Sequence, residues 1–516
     1  MTTHLNLNEI KEYQKEFKND PMNIVLSNAY ANNQINNLII NHEQIHKINH
    51  IFTLTIDTKG AITSQGHSGR CWMFGGLNML RRSIIKNHNL DDNFELSQNY
   101  LFFWDKMERC NVFMEKMIKL KKKSLYNEAV VDNLRSPVSD GGHWQTFLNL
   151  INKYGIVPKT IFDDMHSSRN SSKLNKLLNH LLRQFAIEIR SKIEAKNTDL
   201  REIKKGYIKK MYKILCMTIG MCPFPNESFN WIYSDKNKNK FILRDLNPIQ
   251  FYEDYVKINC NNYVHIRNDP RSTHPYFRLY RRSYKLGMTD GKKVVSMNLP
   301  IKQLKDLVVK QLENNQPVWF ACDVDKYVYG KNNLMDIELF NYGLPFGSSF
   351  SKMSKADRLN YKDSRANHVM AFTGVDIKDH HKEFNINYYK EKEKEEKEDE
   401  KNKEKEKGEE EEGEKKSILD DGPLKYIKWK VENSWGSCGS QKGYYTMMDS
   451  WFDKFVYEIV VHIDHLDKEQ IRVLQQKDII QLHVNDTMDQ GLKREREEEE
   501  EEMEIEEELY NKRQKY

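Results

Sequence analysis

The 516-residue chain has little of what marks several protein classes. Its seven cysteines, at 71, 110, 216, 222, 260, 322 and 438, are odd in number and scattered. That excludes a disulfide framework and points to a reduced compartment, the cytoplasm. Cys216 and Cys222 stand six apart with no matching His pair, so neither a zinc site nor any other cofactor is expected. No stretch of about 18 apolar residues occurs, and no membrane-spanning helix is expected. Met1 to Met22 is polar and charged without an apolar run, unlike a secretory signal peptide. Around Asp140-Gly141-Gly142-His143 there is no Walker or Gly-x-Gly-x-x-Gly pattern, so these glycines read as a structural turn and not as an anion loop.

What is present is charge, unevenly placed. Charged residues make up 30% of the chain and hydrophobic ones 38%, so part of it is not core. Lys390 to Lys416 holds 10 basic and 14 acidic residues, and Lys493 to Tyr516 holds 6 and 11. Both are low-complexity segments unable to bury enough apolar surface to fold, and read as disordered. Without them the net charge of +5 becomes +14. A basic body attracts nucleic acid or acidic surfaces. The plainer reading, a solvated lysine-rich surface, is preferred. Arg278 to Lys285 mixes basic and aromatic residues in a way that suits phosphates and bases, with an amphipathic surface strand as the simpler alternative.

Periodicity divides the rest. Residues 1–50 read as one or two helices with loops, and Ile51–Ile56 as a strand. Glu95 to Lys106 looks like a mostly buried helix, and Lys119–Lys123 like a surface turn. A helix follows His143 and ends at Gly155. Ser171 to Ile219 is helical, with Leu174, Leu177, Leu178, Leu181 and Leu182 on one apolar face. From Val294 strands dominate. Pro317–Val324 is a buried strand, His368–Val375 a strand headed by histidine, and Tyr426–Glu432 a strand ended by Asn433-Ser434-Trp435-Gly436.

One stretch carries reactive chemistry: Gln65-Gly66-His67-Ser68-Gly69-Arg70-Cys71-Trp72. The apolar spacing behind it puts Cys71 at a helix N-terminus, where the dipole and free N–H groups favour a thiolate. Gln65 is a candidate donor to an oxyanion. A thiolate nucleophile needs a base and a group to orient that base. His368 and Asn433 supply both if their strands are adjacent, and Trp435 would shield their hydrogen bond from water. Each residue alone has a bland reading: a buried core cysteine, a strand-end histidine, a turn asparagine. Gln, Cys-Trp, His and Asn-Ser-Trp-Gly in this order is the pattern expected of a papain-like cysteine protease, although a small residue is usual where Arg70 stands.

The resemblance narrows further. Ser-Gly-Arg-Cys-Trp at 68–72 resembles the bleomycin hydrolase/aminopeptidase C family, which has Arg at that position. Residues 97–106, Asp140-Gly141-Gly142, 318–324, 429–436 and Asp449-Ser450-Trp451-Phe452 are similar to that family too. The likeness runs from about residue 10 to about residue 492. It implies an α+β, papain-like fold, a helical lobe plus a β-barrel-like lobe, with helical and hook insertions. The expected organisation is an N-terminal helical segment (1–50), the helical lobe with Cys71 (51–165) and an inserted helical and hook region (166–290). A β-rich lobe with His368 and Asn433 (291–463) follows, containing the 390–416 insert, then a C-terminal arm (464–492) and the acidic tail (493–516). The implied activity is that of a cytosolic, homohexameric aminopeptidase acting on peptides with a free N-terminus, and on bleomycin and homocysteine thiolactone. Carried over by position, Cys71 is the nucleophile, His368 the base, Asn433 its orienter and Gln65 the oxyanion donor, with Trp72 and Trp435 in support. In the family the chain ends at the arm, with its carboxylate in the cleft. Here 24 residues follow Leu492, and trimming near that residue is the expectation. The alternative from another class is a nucleic-acid-binding protein that uses a basic channel and has a secondary or silent hydrolase site. Some members of the family bind DNA that way.

Overall fold

Local capping signals start the main helices. The Ser97 hydroxyl accepts from the Tyr100 backbone and opens a helix over Gln98–Leu120. Asp199 does the same for Leu200–Ile219. Gly155, at φ 69°, ends the helix Trp144–Tyr154 in a conformation that favours glycine. The computed structural model describes residues 3–57, 60–192, 199–282, 287–348, 352–378, 424–483 and 486–488. The Lys/Glu insert at 390–416 and the tail at 493–516 lie outside the described residues.

The helices Cys71–Asn87, Gln98–Leu120, Trp144–Tyr154, Ser172–Ser191 and Leu200–Ile219 form one side of the molecule. In Ser172–Ser191 the buried stripe is Leu174, Leu178, Leu182, Phe185 and Ile189, at steps of four and three. Leu177, expected on that face, is exposed at its edge. Residues 3–50 form four short helices, Leu7–Asn19, Pro21–Tyr30, Ile35–Ile39 and His42–Lys47, where one or two were expected.

Fourteen strands occur among the described residues: β1 (Leu54–Thr55), β2 (Phe229–Ser234), β3 (Lys240–Leu246), β4 (Tyr263–Arg267), β5 (Arg278–Arg281), β6 (Val295–Asn298) and β7 (Val318–Cys322). The others are β8 (Val328–Tyr329), β9 (Leu334–Met335), β10 (His368–Ile377), β11 (Tyr426–Glu432), β12 (Tyr444–Met448), β13 (Val456–His462) and β14 (Ile479–Gln481). β2 and β3 make a separate hairpin. The remaining twelve form one mixed sheet in the order β14-β5-β6-β4-β13-β7-β10-β11-β12-β9-β8, with β1 added on β10. The sheet therefore takes in residues 263–267, 278–281 and 479–481, outside the 291–463 span read from the strand-rich pattern. Their arginines hide them in the sequence. Within the fold Arg282, just past β5, pairs with Glu458 of β13, and Arg278 pairs with Asp478.

β7 shows how the two sides meet. It is buried throughout, and its alternate residues face opposite ways. Trp319 and Ala321 join the apolar core shared with the helices, including Trp72, Phe102 and Phe147. Val318, Phe320 and Cys322 join a second core with Phe372, Trp429 and Phe452. The Cys71–Asn87 helix packs on β7 and β10 along this seam.

Candidate active site

Cys71 is the first residue of its helix and is buried. The free N–H groups of that first turn and the positive end of the dipole lie at its thiol. One turn on, Gly75 lies so close to β10 that an added Cβ would stand 2.9 Å from Val369 Cγ1. Cys71 and Gly75 share a helix face, so the thiol end of the helix is pressed against the strand beside His368.

His368 opens β10, and Asn433 directly follows β11. These strands are antiparallel neighbours, with Ala371 opposite Glu432. The pairing joins side chains 65 residues apart: His368 Nε2 lies 2.8 Å from Asn433 Oδ1. The same Oδ1 accepts from the Ser434 backbone N–H at 2.8 Å. An amide oxygen only accepts, so His368 donates from Nε2 and its Nδ1 is the basic nitrogen. Trp435 lies over the pair, its ring 4.9 Å from the imidazole.

Gln65 joins the two walls. Its backbone N–H donates to Ser434 O at 2.9 Å. Its Oε1 accepts from Ser434 Oγ, and its Nε2 donates to Ser68 O at 2.6 Å. One amide hydrogen is thereby used and a second remains for an oxyanion.

The loop before Cys71 is braced by charges. Arg70 is fully buried and pairs with Asp164 at 2.6 Å. Its Nε donates to Ser68 Oγ, and its guanidinium lies over the rings of Phe74 and Phe102. Burial would raise the Asp164 carboxyl, but Arg70 outweighs it and holds the group below its ordinary value. Asp140 plays the corresponding part on the other side of the loop. Its carbonyl accepts from Trp72 Nε1 at 2.7 Å, and its carboxylate accepts from Gly69 N–H at 3.1 Å. Lys106, Ser171 and Asn175 also donate to that carboxylate. Burial opposes its charge, yet these donors hold Asp140 well below the usual carboxylate range. Gly142 lies under Trp72, where an added Cβ would stand 2.4 Å from the indole. The Asp140–His143 turn is therefore structural, as its sequence indicated.

All six residues singled out from the sequence, Gln65, Cys71, Trp72, His368, Asn433 and Trp435, fall on this seam. Arg70, Asp140, Asp164 and Lys106 were missed as parts of it. The signals available were the arginine at 70 where a small residue is usual and a lysine at 106 inside a run of aromatic residues. Of the basic-aromatic stretch at 278–285, Arg278–Arg281 is the strand β5, and residues 283–285 lie outside the described residues. Leu279 and Tyr280 are buried between neighbouring strands, Tyr280 donates to Pro275 O, and Arg282 is buried against Glu458.

Near the chain's last described residues, Asp269, His274 and Asp486 bring their ligand atoms within 4.8 Å of one another. Arg271 bridges the two carboxylates at 2.7 and 2.8 Å and supplies the positive charge there. This clamp fixes Asp486–Met488 to the body, and Thr487 Oγ1 donates to Leu359 O. Among the described residues no helix is long and apolar enough to cross a membrane.

A thiol at a helix N-terminus, and an asparagine-oriented imidazole on the strand that this helix packs against, are the groups that acyl transfer uses. Comparison with known proteins agrees. The sequence profile of the Peptidase C1-like family matches residues 4–396 and 417–489. Bleomycin hydrolase of Mus musculus is 32% identical over 483 residues, covering 92% of this chain and 96% of that protein. Aminopeptidase C of Lactobacillus delbrueckii subsp. lactis is 34% identical over 464 residues, covering 90% and 92%. The crystal structure of PepW from Lactobacillus rhamnosis superposes with a TM-score of 0.81 at 32% identity, covering 95% of this chain and all of that one. The chain belongs to the Peptidase C1-like family, in its bleomycin hydrolase/aminopeptidase C branch, and is a cysteine-type peptidase with a papain-like α+β fold. The profile match leaves out most of the Lys/Glu insert and everything after residue 489.

Proposed function

We propose that the protein is a cysteine aminopeptidase in which Cys71 attacks the carbonyl carbon of the first peptide bond. The observation that carries this reading is the buried His368–Asn433 hydrogen bond at 2.8 Å, covered by Trp435, beside the helix that begins at Cys71. His368 takes the thiol proton on Nδ1. The thiolate adds to the carbonyl, and the oxyanion is held by Gln65 Nε2 and the Cys71 N–H. His368 then protonates the leaving amine, leaving an acyl-enzyme. Water, deprotonated by His368, releases the amino acid and regenerates the thiol. Trp72 and Trp435 keep the two walls in place and dry.

Peptides with a free N-terminus are the proposed substrates, a reading supported by relatives named aminopeptidase C. Hydrolysis of the bleomycin amide, supported by relatives named bleomycin hydrolase, and of homocysteine thiolactone belongs to the same proposal. So does a cytoplasmic location, supported by the seven cysteines, odd in number and scattered along the sequence. A homohexamer is supported by the helix Leu7–Asn19, which buries no residue and leaves Leu7, Ile10 and Phe17 exposed along one stripe. Trimming near Leu492, which the family resemblance implies, belongs to the same proposal, with the new terminal carboxylate as the partner of the substrate's amine. Intact-mass measurement tests this, and a fully active aminopeptidase still carrying Tyr516 overturns it.

The main test compares an aminoacyl fluorogenic substrate with its N-acetylated form. The free amine is expected to be turned over and the acetylated form not, with Cys71→Ala inactive on both. Equal turnover of the two forms overturns the aminopeptidase reading, and turnover by Cys71→Ala overturns the mechanism.

A further inference from the structure

The Cys71 helix carries a polar stripe that the mechanism does not use. Cys71, Gly75, Asn78 and Arg82 follow one another at steps of four, three and four, so they share one face. Gly75 meets β10, while Asn78 and Arg82 meet Glu432, the last residue of β11 and the neighbour of Asn433. Asn78 Nδ2 donates to Glu432 Oε1 at 3.2 Å, Arg82 Nη2 pairs with Oε2, and Arg81 Nη2 stands 3.6 Å from Oε1. Glu432 is 4% exposed. Among the described residues neither arginine has another carboxylate partner.

The same groups reach the segment bearing Gln65. Asn78 Nδ2 also donates to Thr63 Oγ1 at 2.9 Å. Arg81 donates to Ala61 O at 2.6 Å and Arg82 to Asp57 O at 3.2 Å. That segment is in turn joined to the Asn433 turn, because Gly436 N–H donates to Thr63 O and Gln65 N–H donates to Ser434 O. One buried carboxylate thus joins the helix of Cys71, the strand end of Asn433 and the approach to Gln65. A neutral side chain at 432 would leave the buried Arg81 guanidinium and the partly buried Arg82 guanidinium without a counter-charge.

We infer that Glu432 is a positioning residue that sets the thiol, the imidazole and the oxyanion donor in register, through Asn78, Arg81 and Arg82. This rests on the catalytic reading of Cys71, His368 and Asn433 proposed above. Displacement of a reacting group by about 1 Å costs on the order of 100-fold in rate. The inference therefore concerns kcat and the thiol–imidazole pair, not substrate affinity.

The test uses the full chain. In Glu432→Gln, kcat per titrated thiol on a free-amine aminoacyl substrate is expected to fall by about 10- to 100-fold with KM little changed. The acid limb of the pH–rate profile should shift, and iodoacetamide should alkylate Cys71 more slowly at acid pH. Glu432→Asp, which keeps the charge, should recover part of the rate. Wild-type kcat per titrated thiol with an unshifted acid limb overturns the inference, even if less folded protein is obtained. If Glu432→Gln does not fold, Asn78→Ala removes one link, keeps both ion pairs and is judged by the same readouts. Cys71→Ala separates the two levels. If it is inactive while Glu432→Gln behaves as wild type, only the positioning role fails. If it turns over substrate, the catalytic reading fails and the positioning role with it.

Discussion

The two walls of the seam, helical and stranded, are held by different forces. On the helical wall, the loop carrying Cys71 is fixed by buried ion pairs, Arg70 with Asp164 and Lys106 with Asp140. On the strand wall, His368 and Asn433 are placed by backbone pairing of β10 with β11 and by one hydrogen bond under Trp435, with Glu432 as the ion-paired link to the helix opposite. A buried ion pair resists small change but is costly to break, because the surviving charge has no water. A strand register is spread over many bonds, so one side-chain loss leaves the frame intact. Breaking the ion pairs of the helical wall should therefore unfold the protein, and breaking the His368–Asn433 hydrogen bond should silence it.

The largest stability effect should come from Asp140→Asn. It leaves Lys106 buried without its counter-charge, at a cost of about 3–5 kcal/mol read by urea unfolding at pH 7. The sign with pH follows from the depressed Asp140 carboxyl. Its stabilisation is complete above the ordinary carboxylate pKa of about 3.9 and is lost as pH falls below it. The gap between wild type and variant should therefore close in acid. A gap that stays constant down to pH 2 would show that the charge is not what holds the loop.

Asn433→Ala should invert the balance. It leaves the His368 Nε2–H and the Ser434 N–H without their acceptor, costing about 1–3 kcal/mol. The rate should fall by on the order of 100-fold as the imidazole loses its orientation. A stability loss matching that of Asp140→Asn would erase the proposed difference between the walls. Trp435→Leu should have the smallest effect. Loss of the ring over His368 costs about 0.5–1.5 kcal/mol. Its signature is a several-fold lower kcat with only a small shift of the unfolding transition. Unchanged kcat would remove Trp435 from the site.

The strand wall was the more legible of the two in the sequence. Alternating apolar residues ended by His368 or by Asn433-Ser434-Trp435-Gly436 announce strand ends, and turn chemistry fixes where side chains emerge. Cys71 was legible for the same reason, at the start of an apolar helical pattern. The helical wall's braces were not. Arg70 and Asp164 are 94 residues apart, and no local period links them. Charged residues also read by default as solvated, which is how Arg81, Arg267 and Arg282 were missed as buried groups. Glu432 escaped because it stands at a strand end, where a carboxylate needs no explanation until the helix opposite is seen. The sheet's extension to 263–267, 278–281 and 479–481 was hidden likewise, by arginines whose partners lie in distant strands.

The central claim is that Cys71 is a thiolate nucleophile made by its helix and by His368. The most direct measurement is the rate of Cys71 alkylation by iodoacetamide against pH, followed by intact mass and by residual activity. The account predicts rapid alkylation that persists well below the ordinary thiol range near pH 8.5. One carboxamidomethyl group on Cys71 should abolish turnover, and the low-pH reactivity should be lost in His368→Ala. Alkylation of Cys71 that follows an ordinary thiol's titration, or turnover that survives its complete modification, would contradict it.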